Sequence, residues 1–340
     1  MNETHERLRQ LLCELSLHIR DVVLEARDAS DSGALSTIAE ETKADTIYAI
    51  DKVSEEAIGE WFSENWPEDL PVLVLVEGID DDQPMAFPEG TAPDTAQWFC
   101  LMDPIDGTRN IMYDKRSAWI LAGIAPYRQR QPMLSEVVAA AMTELPTSRQ
   151  WACDQLSATL GCTKSGITAV RHDLRAGRSE PLPFGPSGAH DLKHGFACIS
   201  KFFPEGKAAL AGIEEKLFDE LFKLGSSNSP LVFDDQYICT GGQLYELIIG
   251  HDRMIADIRG YLLPRLGYEG ALCCHPYDIV ALLIAREAGC LIEDPLGHPL
   301  DGPMDTTSAI NWVGYANSTL AGEIRPVLTR LIREAIDELR

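Results

Sequence analysis

Residues 99–111 read FCLMDPIDGTRNI. The apolar run WFCLM at 98–102 predicts a buried strand that delivers Asp103 at its end. Pro104 cannot donate to a sheet ladder and turns the chain. Asp106 follows three residues after Asp103, and Gly107 and Thr108 open a helix, with Asp106 to Thr108 as suitable capping residues. Two carboxylates on one tight turn can converge on a hard cation, and the Ile105 carbonyl between them can point the same way. Gly107 lets the backbone come close to a ligand. Free N–H groups at a helix start attract an anion. The alternative is a plain aspartate-capped turn, because such turns are common.

Other acids stand at the ends of predicted elements. Glu77 closes a buried strand at 70–76, in LVLVEGID. Asp278 starts a helix, after HPY and before the apolar run IVALLIAREAG. Asp51 sits where a short strand at 46–50 meets a helix at 51–65. Each alone reads as a helix cap or a solvated acid. Together they occupy the ends of buried elements, where open α/β folds build their sites.

The charge of the chain supports a site of this kind. Among 340 residues, 29 Lys and Arg face 53 Asp and Glu, a net of −24. Such a surface repels nucleic-acid backbones and anionic membranes, so a polynucleotide or membrane partner is not expected. An anionic substrate then requires something positive in the site, and bound metal ions held by surplus carboxylates are the simplest answer. The nine cysteines form no C-x-x-C pair and read as buried thiols. The polar start MNETHERLRQ has no signal-peptide pattern, and a cytoplasmic location is expected.

Periodicity places the remaining elements. Leu8, Leu11, Leu12, Leu15, Ile19, Val22 and Val23 form one helical stripe across 5–27. The span 118–154 is strand-like, with a turn at Pro146. Residues 160–190, rich in Gly, Pro and Ser, read as a loop and as the subdomain boundary. Beyond it strands and helices alternate, with helices at 204–224, 242–249, 278–288 and 318–339. The pattern predicts a mixed, largely antiparallel first half and layered α/β packing in the second.

These residues, taken in order, resemble the inositol monophosphatase superfamily, which includes fructose-1,6-bisphosphatases and 3′-phosphoadenosine phosphatases. Its signature D…EE…DP(I/L)D(G/S)T…WD…GG appears as Asp51, Glu77-Gly78, DPIDGT at 103–108, Tyr277-Asp278 and Gly289-Cys290. IEDPLGHPLD at 292–301 and WVGYANSTL at 312–320 resemble its later strand–turn and last strand–helix segments. The resemblance implies an α+β / α/β fold, a layered αβαβα sandwich. An α+β half at about 1–185 would carry most metal ligands, and an α/β half at 186–340 the last aspartate. It implies a Mg²⁺-dependent phosphomonoesterase acting on a small phosphorylated polyol or sugar, with Mn²⁺ as a possible substitute, and a homodimer. Glu77, Asp103 and the Ile105 carbonyl would hold one ion, and Asp103, Asp106 and Asp278 a second. A third ion would lean on Glu77. Thr108 and Asp51 would orient and deprotonate water, while Asp106, Gly107 and Thr108 would hold the phosphate.

Three positions depart from the signature: Gly78 for the second Glu, Tyr277 for Trp, and Cys290 for the second Gly. By register, Asp257 takes the place of a family carboxylate that touches substrate hydroxyls. The long link that follows brings Arg259, Arg265 and Glu269 near the site, where an Arg can bind a second anionic group; a plain surface loop is the equal alternative. Fructose-1,6-bisphosphatase or 3′(2′),5′-bisphosphate nucleotidase activity is the alternative within enzymes. The alternative outside them is a non-catalytic phosphate- or metal-binding regulatory protein.

Overall fold

The structure is a computed structural model that describes residues 2–29, 38–41, 46–225 and 229–339. Helix α1 (Glu3–Ala29) forms as the stripe requires, and Leu8, Leu12, Leu15, Ile19 and Val23 are fully buried along it. Strands β1 (Ile38–Glu41) and β2 (Thr46–Tyr48) make a small antiparallel pair ahead of α2 (Ala49–Asn65).

Eight strands form the first large sheet: β3 (Val72–Val76), β4 (Met85–Phe87), β5 (Trp98–Asp106), β6 (Ala118–Pro126), β7 (Ala139–Leu145), β8 (Ala152–Thr159), β9 (Thr168–Asp173) and β10 (Arg178–Pro181). Their order is β10-β9-β8-β7-β6-β5-β3-β4. Only β3 with β5 is parallel. That exception matters for the site. Val76 aligns with Met102, so the next residues, Glu77 just past β3 and Asp103 within β5, stand side by side.

Alternation along the strands separates two faces. Val72, Val74, Val76, Met102 and Ile120 pack with α1 and α2. Leu73, Leu75, Leu101, Leu121 and Met142 face a middle layer made by α5 (Thr240–Ile249) and α7 (Leu282–Ala288). The second sheet closes that layer from the other side. Its strands are β11 (Gly195–Ile199), β12 (Val232–Phe233), β13 (Asp252–Asp257), β14 (Leu291–Glu293) and β15 (Trp312–Tyr315), in the order β12-β11-β13-β15-β14. Cys198, Ile255, Ile292 and Trp312 point into the middle layer. Ala197, Ile199, Met254, Ala256 and Val313 point away, onto α4 (Lys207–Phe222) and α8 (Ser318–Glu338). The result is helix, sheet, helix, sheet, helix, the layered αβαβα sandwich expected from the sequence.

Two expectations need correction. The stretch 160–190 is not all loop: β9 and β10 pair as a hairpin at the sheet edge, with Arg178 opposite Asp173. Every residue of β10 is exposed, so no apolar alternation marks it. The single helix expected at 278–288 is two pieces, α6 (Pro276–Ile279) and α7, interrupted at Val280 and Ala281. There the middle layer closes against β6 at Gly123, where an added Cβ would stand 2.4 Å from Val280 Cγ2. Among the described residues, no helix is long and apolar enough to cross a membrane.

Candidate active site

Strand β5 carries both aspartates of the DPIDGT turn. Its register against β6 breaks between Asp103 and Asp106, so the strand bends where it delivers them. Asp103 Oδ1 accepts the Ile105 N–H at 2.9 Å, which fixes the turn. The Thr108 hydroxyl donates to the Ile105 carbonyl at 3.0 Å; a carbonyl oxygen keeps a second lone pair for another partner. Gly107 adopts φ 94° ahead of the short helix α3 (Thr108–Met112). An added Cβ at Gly107 would stand 3.0 Å from the Cys239 Cβ, so glycine meets both a conformational and a spatial need.

The second half of the molecule completes the cluster. The Gly241 N–H, in the first turn of α5, donates to Asp106 Oδ2. An added Cβ at Gly241 would meet the Trp119 Cβ at 2.8 Å and Asp106 Oδ2 at 3.0 Å, so the approach depends on glycine. Asp278 lies in the first turn of α6, and its Oδ2 accepts the His275 N–H at 2.6 Å. Asp103, Asp106 and Asp278 each offer an oxygen, and these atoms all lie within 4.8 Å of one another.

The electrostatics of this arrangement are unfavourable without a cation. Burial holds the Asp103 carboxyl well above the usual range, and Glu77, Asp106 and Asp278 push it further; Glu77 also shares a hydrogen bond with it. Asp106 is likewise raised, by burial and then by Asp278. The N–H groups of Gly241 and Thr240 and the charge of Arg259 pull the other way. Carboxylate oxygens are hard donors, and a cluster of them suits Mg²⁺, Ca²⁺ or Mn²⁺ rather than a soft metal. The donor set therefore fits a hard divalent cation.

These groups line a cavity of about 500 Å³, together with Glu77, Gly107, Thr108, Arg259, Thr306 and Thr307 among others. The expected site residues divide around it. Glu77, Asp103, Ile105, Asp106, Gly107, Thr108, Arg259 and Asp278 are all in the wall. Asp51 lies in α2, and its side chain is outside the described residues. Asp257, Arg265 and Glu269 do not line the cavity. Asp257 is buried, and Arg259 holds both its oxygens, Nε at 2.9 Å and Nη2 at 2.6 Å. Arg265 and Glu269 are exposed, and Arg265 donates to the Tyr261 carbonyl at 2.6 Å.

Several wall residues carried no readable signal. The Arg259 guanidinium lies over Phe202 at 4.4 Å and Phe203 at 5.2 Å, and both rings line the cavity. Thr306 and Thr307 reach it from the loop between β14 and β15. Only the GG pair at 241–242, placed ahead of an apolar helix, offered a sequence hint of close approach.

No family model and no curated protein matches the sequence. Solved structures do. Fructose-1,6-bisphosphatase of Leishmania major is 14% identical with a TM-score of 0.66, and the match covers 99% of this chain and 96% of that one. The extragenic suppressor protein SuhB of Bartonella henselae is 14% identical with a TM-score of 0.61, covering 96% and 99%. Inositol monophosphatase II of Staphylococcus aureus is 18% identical with a TM-score of 0.56, covering 98% and 95%. With its two sheets around a shared helical layer, the chain has the fold seen in these fructose-1,6-bisphosphatase, SuhB and inositol monophosphatase structures.

Proposed function

We propose that this chain is a Mg²⁺-dependent phosphomonoesterase acting on a small phosphorylated polyol or sugar. The observation that carries this reading is the convergence of Asp103, Asp106 and Asp278 within 4.8 Å on one cavity wall. When bound, the cation supplies positive charge to the phosphoryl oxygens and activates the attacking water. The chain's own residues do the rest. Asp103, Asp106, Asp278 and Glu77 hold the charge in place, with the Ile105 carbonyl as a neutral donor. The Gly107 and Thr108 N–H groups bind the phosphate. The Thr108 hydroxyl, held against the Ile105 carbonyl at 3.0 Å, and Asp51 orient the water. Similar structures include a fructose-1,6-bisphosphatase and an inositol monophosphatase, so bisphosphate substrates are the second reading. Arg259 lines the cavity, but its charge is already answered by Asp257, so it does not by itself favour that reading.

The test is phosphate release from inositol phosphates, sugar bisphosphates and nucleotide bisphosphates by the purified chain, with Mg²⁺ and after chelation. Release that needs Mg²⁺ is expected. Activity that survives complete chelation, or no release from any ester together with no Mg²⁺ binding by calorimetry, refutes the reading.

A further inference from the structure

The loop between β14 and β15 is tied to both halves of the molecule. At its start, Asp301 accepts the Ser135 N–H and hydroxyl, both at 2.9 Å. The Met304 N–H donates to the Pro132 carbonyl at 2.8 Å, and the Gln131 amide donates to the Met304 carbonyl. At its end, the Ile310 N–H donates to the Cys274 carbonyl at 2.7 Å, close to Asp278 in sequence. Asn311 Oδ1 accepts the Tyr261 N–H at 2.8 Å. Residues 301–311 thus form a strap that leaves the second sheet, crosses to the first and returns.

The middle of the strap is held from within by Asp305, whose Oδ1 accepts the Thr307 N–H at 3.2 Å and the Ser308 N–H at 2.8 Å, and from outside by Asp81. Asp81 Oδ1 accepts the Thr306 N–H at 2.7 Å and the Thr306 hydroxyl at 2.8 Å. Its Oδ2 accepts the Thr307 hydroxyl at 3.0 Å. Asp81 itself is not in the cavity wall, whereas Thr306 and Thr307 are. Asp81 also stands in the segment that begins at Glu77, so the latch joins the strap to the turn leaving β3. The groups expected to bind cation and phosphate come from the end of β3, from β5 with the start of α3, and from α6. The strap supplies the wall without contributing any of them, which leaves it the remainder of the ester.

We propose that the strap 301–311 is the leaving-group wall of the cavity, and that Asp81 is a positioning residue that selects substrate by holding Thr306 and Thr307 in place. The proposal rests on the phosphomonoesterase reading. Three bonds to one carboxylate are lost in Asp81→Ala, and hydrogen bonds to a charged group are the stronger kind. Binding of the leaving group in ground and transition state alike then weakens, which raises KM and spares kcat.

The experiment compares the wild-type chain with Asp81→Ala and Asp81→Asn at saturating Mg²⁺. In Asp81→Ala, KM for the best ester is expected to rise about tenfold with kcat within about twofold. The inhibition constant of inorganic phosphate, which lacks a leaving group, should not change. Asp81→Asn keeps an oxygen for Thr306 and an amide for the Thr307 hydroxyl, and should restore KM. Amide hydrogen exchange in 301–311 should quicken in Asp81→Ala alone. Unchanged exchange there, a parallel rise in KM and the phosphate inhibition constant, or an Asp81→Asn variant as impaired as Asp81→Ala would each overturn the proposal. A wild-type chain inert towards every ester instead removes the reading beneath it, and the proposal falls with that reading.

Discussion

Asp103 and Asp257 are buried to the same degree, each 1% exposed, and each lies towards the end of a strand. Their surroundings differ in sign. Asp257 has both oxygens on the Arg259 guanidinium, whose planar face is covered by Phe202 and Phe203. Asp103 faces Glu77, Asp106 and Asp278. The first is a closed pair in which charge is answered from within the chain. The second is a concentration of like charge that folding alone does not relieve, and that becomes favourable once an external cation is bound. Burial of an acid is thus uninformative by itself; the sign of its nearest neighbours separates a structural carboxylate from one awaiting a ligand.

The largest expected effect lies at the closed pair. Arg259→Ala leaves Asp257 buried and unanswered, and should destabilise the chain by about 3–5 kcal/mol, measured by urea unfolding. Replacing both partners, as in Asp257→Asn with Arg259→Met, should recover much of that loss. A single variant as stable as wild type would dissolve the contrast. Next comes the open cluster. Asp106→Asn or Asp278→Asn should lower Mg²⁺-dependent turnover more than about a hundredfold, beyond what loss of an outer-shell partner costs. Near-wild-type kcat at saturating Mg²⁺ would refute the assignment.

The same neutralisation should have the opposite effect on stability. In metal-free protein, Asp103→Asn keeps an oxygen for the Ile105 N–H while removing a like charge, and should raise Tm where Arg259→Ala lowers it. The smallest effect is the pH slope. Asp103 and Asp106 are raised in the folded state, so the folded chain binds more protons than the unfolded one between the ordinary aspartate value, about 3.9, and the raised values. Their contribution is full below about pH 4 and is lost as pH rises through the raised values. The metal-free Asp103→Asn and Asp106→Asn variants should therefore gain most over wild type towards neutral pH, and saturating Mg²⁺ should abolish the gain. A gain that shrinks as pH rises would contradict the electrostatic account.

The open cluster was more legible than the closed pair. Asp103 and Asp106 announce themselves because an apolar run ends on them and a proline and glycine follow at once; strand, turn and helix start lie in one short segment. Asp278 was legible for a similar reason, at the head of an apolar helix. The pairing of Asp257 with Arg259 was not legible, because spacing shows that two side chains share a neighbourhood, not that each satisfies the other. The Asp81 latch joins residues more than 200 positions apart, and no periodicity reports such a contact. The exposed hairpin of β9 and β10 escaped for want of an apolar face.

Gly78 carries a consequence of its own. It stands where the resembling family has a second glutamate, in a turn closed by the Ile79 N–H on the Val76 carbonyl at 3.0 Å, with φ 85°. A non-glycine residue held at such an angle costs on the order of 1–3 kcal/mol. Gly78→Glu therefore does not simply supply the missing carboxylate, because it would stand on a backbone bent against it. A carboxylate at this position asks for a different turn between Val76 and Ile79, not for one side chain alone.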